Sequence, residues 1–145
     1  KQFPKIVAGY EWLQWFNDIA AAIDRAPARQ AKVNLTLQAA SLPVTPIPLG
    51  TIPPGLWRIS YYFRVTRAAT TSSSLLLTLA WTDGVAQSRA GAAETGNSTT
   101  TLQFSSLVIR VANATPISYS TTYASVGGVT MQYRLDIVAE LLAAD

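Results

Sequence analysis

Hydrophobic and polar residues alternate along most of the chain, and the period of that alternation changes once. From Val33 onward, apolar side chains recur at every second position. Val33, Leu35 and Leu37 share one face of a first strand. Trp57, Ile59, Tyr61, Phe63 and Val65 line one face of a longer strand, with Arg58, Ser60, Tyr62 and Arg64 opposite. Leu75, Leu77, Leu79 and Trp81 repeat the pattern, as do Leu102 with Phe104 and then Leu107, Ile109 and Val111, with a break open at Ser105-Ser106. Ile117, Tyr119, Thr121 and Tyr123 form another strand, and Val129, Met131, Tyr133, Leu135, Ile137, Ala139 and Leu141 the longest. A period of 2 places successive side chains on opposite faces, so these are sheets with one face buried. Turn chemistry punctuates them at Pro53-Pro54-Gly55, Asp83-Gly84, Gly96-Asn97, Thr115-Pro116 and Gly127-Gly128. With a weak extra strand near Ile47–Ile52, the pattern predicts seven or eight short strands in a β-sandwich or jelly roll.

Ahead of Pro27 the period is near 3.6. Trp12, Phe16, Ile19, Ile23 and Ala26 are spaced 4, 3, 4, 3, the a/d rhythm of a coiled coil. A helix is expected from about Tyr10 to Ala26, stopped by Pro27, which lacks a donor and restricts the residue before it. Two heptads are too few for a free coiled coil. The segment is either an amphipathic helix on its own domain or a short stalk that meets copies of itself. The chain therefore divides into an arm and helical stalk segment, residues 1–32, and a β-sandwich knob, residues 33–145. All 28 Ser and Thr residues lie in the second part.

Composition narrows the chemistry. There is no Cys and no His among 145 residues. Thiol nucleophiles, disulfides, Ser-His-Asp triads, imidazole bases and His/Cys zinc sites are excluded. Only 13% of residues are charged, about half the usual share, which suits a surface hidden in an oligomer or displayed outside a cell. The net charge is +3, but the arginines are scattered and form no phosphate-tracking stripe, so nucleic acid is not an expected partner. No apolar stretch approaches the roughly 20 residues of a membrane span.

Carboxylates are then the only acid–base candidates. Asp136 and Glu140 share one strand face about 13 Å apart, too far for a glycosidase pair. Asp83 precedes Gly84 in an ordinary turn, and no carboxylate spacing suits calcium. Neither catalysis nor a cofactor nor a metal is expected. Trp57, Trp81, Tyr62, Tyr119 and Tyr123 could stack on a sugar ring, although aromatic residues inside alternating strands more commonly pack a core. The polar faces of the strands at 57–65 and 129–141 are mixed. Tyr62 and Val138 interrupt Arg58, Arg64, Arg134, Asp136 and Glu140, which fits either a solvated face or one packed on a partner subunit.

The segment from Asn113-Ala-Thr-Pro-Ile-Ser-Tyr119 through Gly127-Gly-Val-Thr-Met-Gln-Tyr-Arg-Leu-Asp-Ile-Val-Ala-Glu-Leu141 resembles the end of many tailed-bacteriophage fibre or knob proteins. The stretch Ile47-Pro-Leu-Gly-Thr-Ile-Pro-Pro-Gly-Leu-Trp57, with Trp81-Thr-Asp-Gly84, is similar to the same family, and the helix Tyr10–Asn17 resembles the helical segment that often precedes such knobs. The resemblance implies a C1q/TNF-like jelly roll that assembles as a homotrimer, with Trp12, Phe16, Ile19 and Ile23 meeting at the stalk. It implies a virion structural protein, a head-fibre, tail-fibre or decoration component, whose partners are copies of itself and other capsid or tail proteins. It implies no enzyme and no transferable ligand site. A host-surface glycan would be read by distal loops, where Arg89, Glu94 and Asn97 are the polar candidates. The alternative is a carbohydrate- or surface-binding sandwich without a virion role.

Overall fold

A computed structural model describes residues 29–145. The segment expected to be helical, with Trp12, Phe16, Ile19 and Ile23, lies outside them. Nine strands follow in order: β1 Gln30–Gln38, β2 Thr45–Pro46, β3 Gly55–Arg67, β4 Ser72–Asp83, β5 Val85–Ala90, β6 Glu94–Thr95, β7 Leu102–Val111, β8 Ser118–Val126 and β9 Gln132–Ala144. One sheet has the order β1-β9-β3-β7 and the other β2-β8-β4-β5, with β6 added to β4. All pairings are antiparallel. The chain crosses repeatedly between the two four-membered orders. That alternation is the topology of an eight-stranded jelly roll, so the expected sandwich is present on strand order alone.

The inner faces follow the sequence period. Trp57, Ile59, Phe63 and Val65 of β3 and Tyr133, Leu135, Ile137 and Ala139 of β9 are buried opposite Leu75, Leu77 and Leu79 of β4 and Ile117 and Tyr119 beside β2. Each such large side chain contributes roughly 1.5–3 kcal/mol on burial. Trp57 also donates its indole N–H to Pro53 O at 3.2 Å. Where β3 begins, Gly55 holds φ +145°, and a Cβ there would drive into the backbone carbonyl of Ala143 on β9.

Three expectations change. Leu37 does not continue the buried face of β1. The register slips between Leu35 and Gln38, Leu37 takes φ +57°, and its side chain is 67% exposed. No break occurs at Ser105-Ser106, because β7 pairs continuously with β3 from Leu102 to Val111. Leu102 and Phe104 therefore lie on the even, outward side, while Leu107, Ile109 and Val111 point inward. Ile47–Ile52 is not a strand: the paired residues are Thr45 and Pro46, and Ile47 and Ile52 instead plug the core.

The ends of the sandwich are set by register. Arg29, Gly55, Val111 and Ala144 gather at one end, since Gln30 pairs with Glu140 and Gly55 with both Val111 and Ala144. The Asp83-Gly84 hairpin joins them, for Ala112 N–H donates to Thr82 O at 3.1 Å. At the opposite end lie Gln38, Arg67, Ser72, Val126 and Gln132. The 68–73 loop is thus far from Arg29 and the Asp83-Gly84 turn near it, the reverse of simple strand alternation. Segment 41–47 causes the reversal by running back along β8, with Thr121 N–H donating to Leu42 O and Ile47 N–H to Ile117 O.

Candidate interaction face

Two surfaces carry concentrated side-chain chemistry. The first is the outer face of β1-β9-β3-β7. Register aligns its residues in rows across the sheet. One row is Asn34, Asp136, Tyr62 and Phe104, and the next is Lys32, Val138, Ser60 and Ser106. A third is Gln30, Glu140, Arg58 and Val108. Charges pair along this face. Arg58 Nε and Nη2 donate to Glu140 Oε2 at 3.0 and 2.5 Å. Arg134 Nε and Nη2 donate to Asp136 Oδ2 and Oδ1 at 2.6 and 3.0 Å, and Asn34 Nδ2 joins the same carboxylate at 2.7 Å. Hydrogen bonding and charge from Asp136 hold the Arg134 guanidinium above its ordinary range. Exposed pairs of this kind add little to stability on their own. They do fix side-chain positions, and with Tyr62 and Val138 between them the face presents an ordered mixture of aromatic, aliphatic and ionic groups. Its β7 margin is apolar and open, with Phe104 70% and Val108 59% exposed.

The second surface is a cleft of about 650 Å³ where the two sheets part, between edge strands β5 and β7. Tyr61, Leu79, Trp81 and Leu107 form its apolar walls, with Arg89 and Gln103 among its polar groups. Trp57 is entirely core, whereas Trp81 is only partly buried and borders this cleft. Gln103 is already occupied. Its Nε2 donates to Ala92 O and Glu94 Oε1, and its Oε1 accepts from Tyr61 OH at 3.4 Å.

The three polar residues expected on one distal loop are separated. Arg89 lies within strand β5, not on a loop, exposed beside the cleft. Glu94 sits on β6 and accepts from Gln103 at 3.1 Å. Asn97 braces the end far from Arg29, accepting from Ser73 Oγ at 2.9 Å and donating to Thr71 O at 2.7 Å. Glu94 and Asn97 are thus engaged within the fold. Strand β5 escaped the sequence pattern because all six of its residues are exposed, so no alternation marks it. Among the described residues no group of three or more His, Cys, Asp or Glu could hold a metal. Asp83 faces Arg110 at 3.7 Å, and Asp136 and Glu140 are committed to the ion pairs above.

No family model and no curated protein matches the sequence. Among solved structures the chain is similar to the globular domain of zebrafish complement 1qA protein, at 12% identity and a TM-score of 0.47, over 82% of this chain and 100% of that one. It is also similar to Eiger TNF from S. frugiperda, at 11% identity and a TM-score of 0.39, over 82% and 95% of the two chains. These likenesses concern the fold alone.

Proposed function

We propose that this chain is a non-catalytic structural protein of a tailed-phage particle, a homotrimeric head-fibre, tail-fibre or decoration component whose jelly roll forms the knob. The sequence resemblance supplies the virion role. The observation that supports self-association is the outer face of β1-β9-β3-β7, where Tyr62, Val138, Phe104 and Val108 are interleaved with ion pairs held in place. Tyr and Arg are the residue types enriched in interfaces. A trimer would cover this face and bring three copies of the 12–23 seam together. Light scattering on the purified chain should give three times the chain mass, and a monomer would overturn the assembly. Labelled antibody should decorate intact particles. Particles free of label, while the purified chain binds the antibody, would remove the virion role.

A carbohydrate-binding role is the second reading, and the partly buried Trp81 beside Arg89 in the β5–β7 cleft favours it. An aromatic face with polar neighbours suits a sugar ring. Glycan-array binding that is lost in Trp81→Ala would support it, and an array without hits would remove it.

A further inference from the structure

Arg64 on β3 and Arg134 on β9 are direct cross-strand partners. Their neighbours Phe63, Val65, Tyr133 and Leu135 are buried, so both arginines leave the sheet on its outer face. Residues so opposed have Cβ atoms about 4.5–5.5 Å apart, and like charges there repel. Among the described residues one carboxylate lies nearby, Asp136, and it is already engaged by Arg134 and Asn34. The other arginines of these strands and of β7 are provided for. Arg58 pairs with Glu140 and Arg110 with Asp145, while Arg67 donates to Thr130 O and Oγ1 at 2.9 and 3.1 Å. Arg64 has no hydrogen bond or ion pair among the described residues, and its partner on β7 is the apolar Leu102.

Two guanidinium groups held opposite each other on one sheet face, with a single carboxylate between them, suit a compact group of acceptor oxygens with negative charge. The planar fork of arginine matches such a group, and donors from both side chains can share its oxygens. Thr66 Oγ1, two residues on at the bulge between Val65 and Arg67, is sealed from solvent and lies out of reach of a ligand on this face.

We propose that Arg64 and Arg134 bind a tetrahedral oxyanion, sulfate or phosphate, on the outer face across β3 and β9. The ligand is either the free ion or the same group carried as an ester on a glycan. The site does not depend on assembly. Where copies cover this face, Arg64 loses water and its need for a counter-charge grows.

Thermal unfolding of the full chain tests this, with sodium chloride exchanged for 10 mM sodium sulfate or phosphate at constant ionic strength. For an ion of about millimolar affinity the midpoint should rise by about 5 °C. Arg64→Gln should lose most of that rise, and its midpoint in chloride alone should equal or exceed the parent's because the repulsion is gone. Arg134→Gln should also weaken the response, and Arg110→Gln, at the other end of the sheet, should keep it whole. A parent chain that ignores sulfate and phosphate, or an Arg64→Gln chain that responds fully, would overturn the site. A sulfated heparin disaccharide in a parallel arm separates the sources. Binding tighter than inorganic sulfate and dependent on Arg64 identifies the ester, and binding no tighter identifies the free ion. Light scattering on the same samples keeps the two proposals apart, since a monomer with an intact sulfate response removes the trimer and leaves this site.

Discussion

Tyr133 shows how much a single side chain can order. Its ring is fully buried in the core, yet its hydroxyl ends a directed chain of hydrogen bonds. Leu42 N–H donates to Thr121 Oγ1 at 2.9 Å, Thr121 donates to Tyr133 OH at 2.8 Å, and Tyr133 donates to Ala40 O at 2.9 Å. Each hydroxyl both accepts and donates, so segment 40–42 is pinned to β8 and β9 without an unsatisfied group. Tyr133→Phe should cost about 1–3 kcal/mol in urea unfolding at pH 7, because Ala40 O and Thr121 each lose a partner. Burial pushes the Tyr133 phenol up. With the folded value above the unfolded one near 10, the stabilising contribution is complete below about pH 10 and is lost as pH rises through the folded value. The urea midpoint should therefore hold from pH 7 to 9 and fall above pH 10, and Tyr133→Phe should flatten that fall. Gly55 offers a backbone counterpart. Its Cβ-less approach to Ala143 means that Gly55→Ala should lose at least about 2 kcal/mol, measurable in the same titration.

Among the elements, edge strand β7 is the most informative. Its inward residues Ile109 and Val111 are buried, and β3 holds its full length. Its outward residues Leu102, Phe104 and Val108 are open to solvent, an arrangement that edge strands ordinarily avoid by carrying charge. Phe104→Ser should leave the stability of an isolated subunit within about 0.5 kcal/mol. If this margin packs against another copy, the same change should weaken association at least tenfold in sedimentation at low concentration. An unchanged sedimentation profile would place the contact elsewhere. Legibility differed sharply between elements. β3, β4, β8 and β9 could be read because each has one dry face. β5 could not, since Val85–Ala90 are exposed on both sides. In β1 the period fails at Leu37, because a bulge turns that residue outward.

For the molecule as a whole, the path of a few residues decides which loops share an end. Segment 41–47 returns along β8, so the Asp83-Gly84 turn lies with Arg29 while loop 68–71 lies opposite, and β5 with β6 then carries the chain back along β4 to the far end. A receptor-reading function at the end far from Arg29 would therefore use loops 68–71, 96–101 and 127–131. The proposed 12–23 seam offers a test of assembly at this scale. Trp12→Asp should convert a trimer to monomers or lower its thermal midpoint. A trimer of unchanged midpoint would assign the assembly wholly to the sandwich.

Alternation along one strand is a local property, which is why the chain by itself determined the class of fold, most of the buried face and the chemistries that a protein without His or Cys forgoes. Neighbours across a sheet are not local. That β9 lies between β1 and β3, that Arg64 falls opposite Arg134, that Thr66 Oγ1 is shut away at a bulge and that the sheets part beside Trp81 all depend on pairing between segments distant in sequence. A shift of one residue in that register would turn Arg134 or Arg64 inward. The tertiary structure alone decided those juxtapositions, and the candidate surfaces of this protein are made of them.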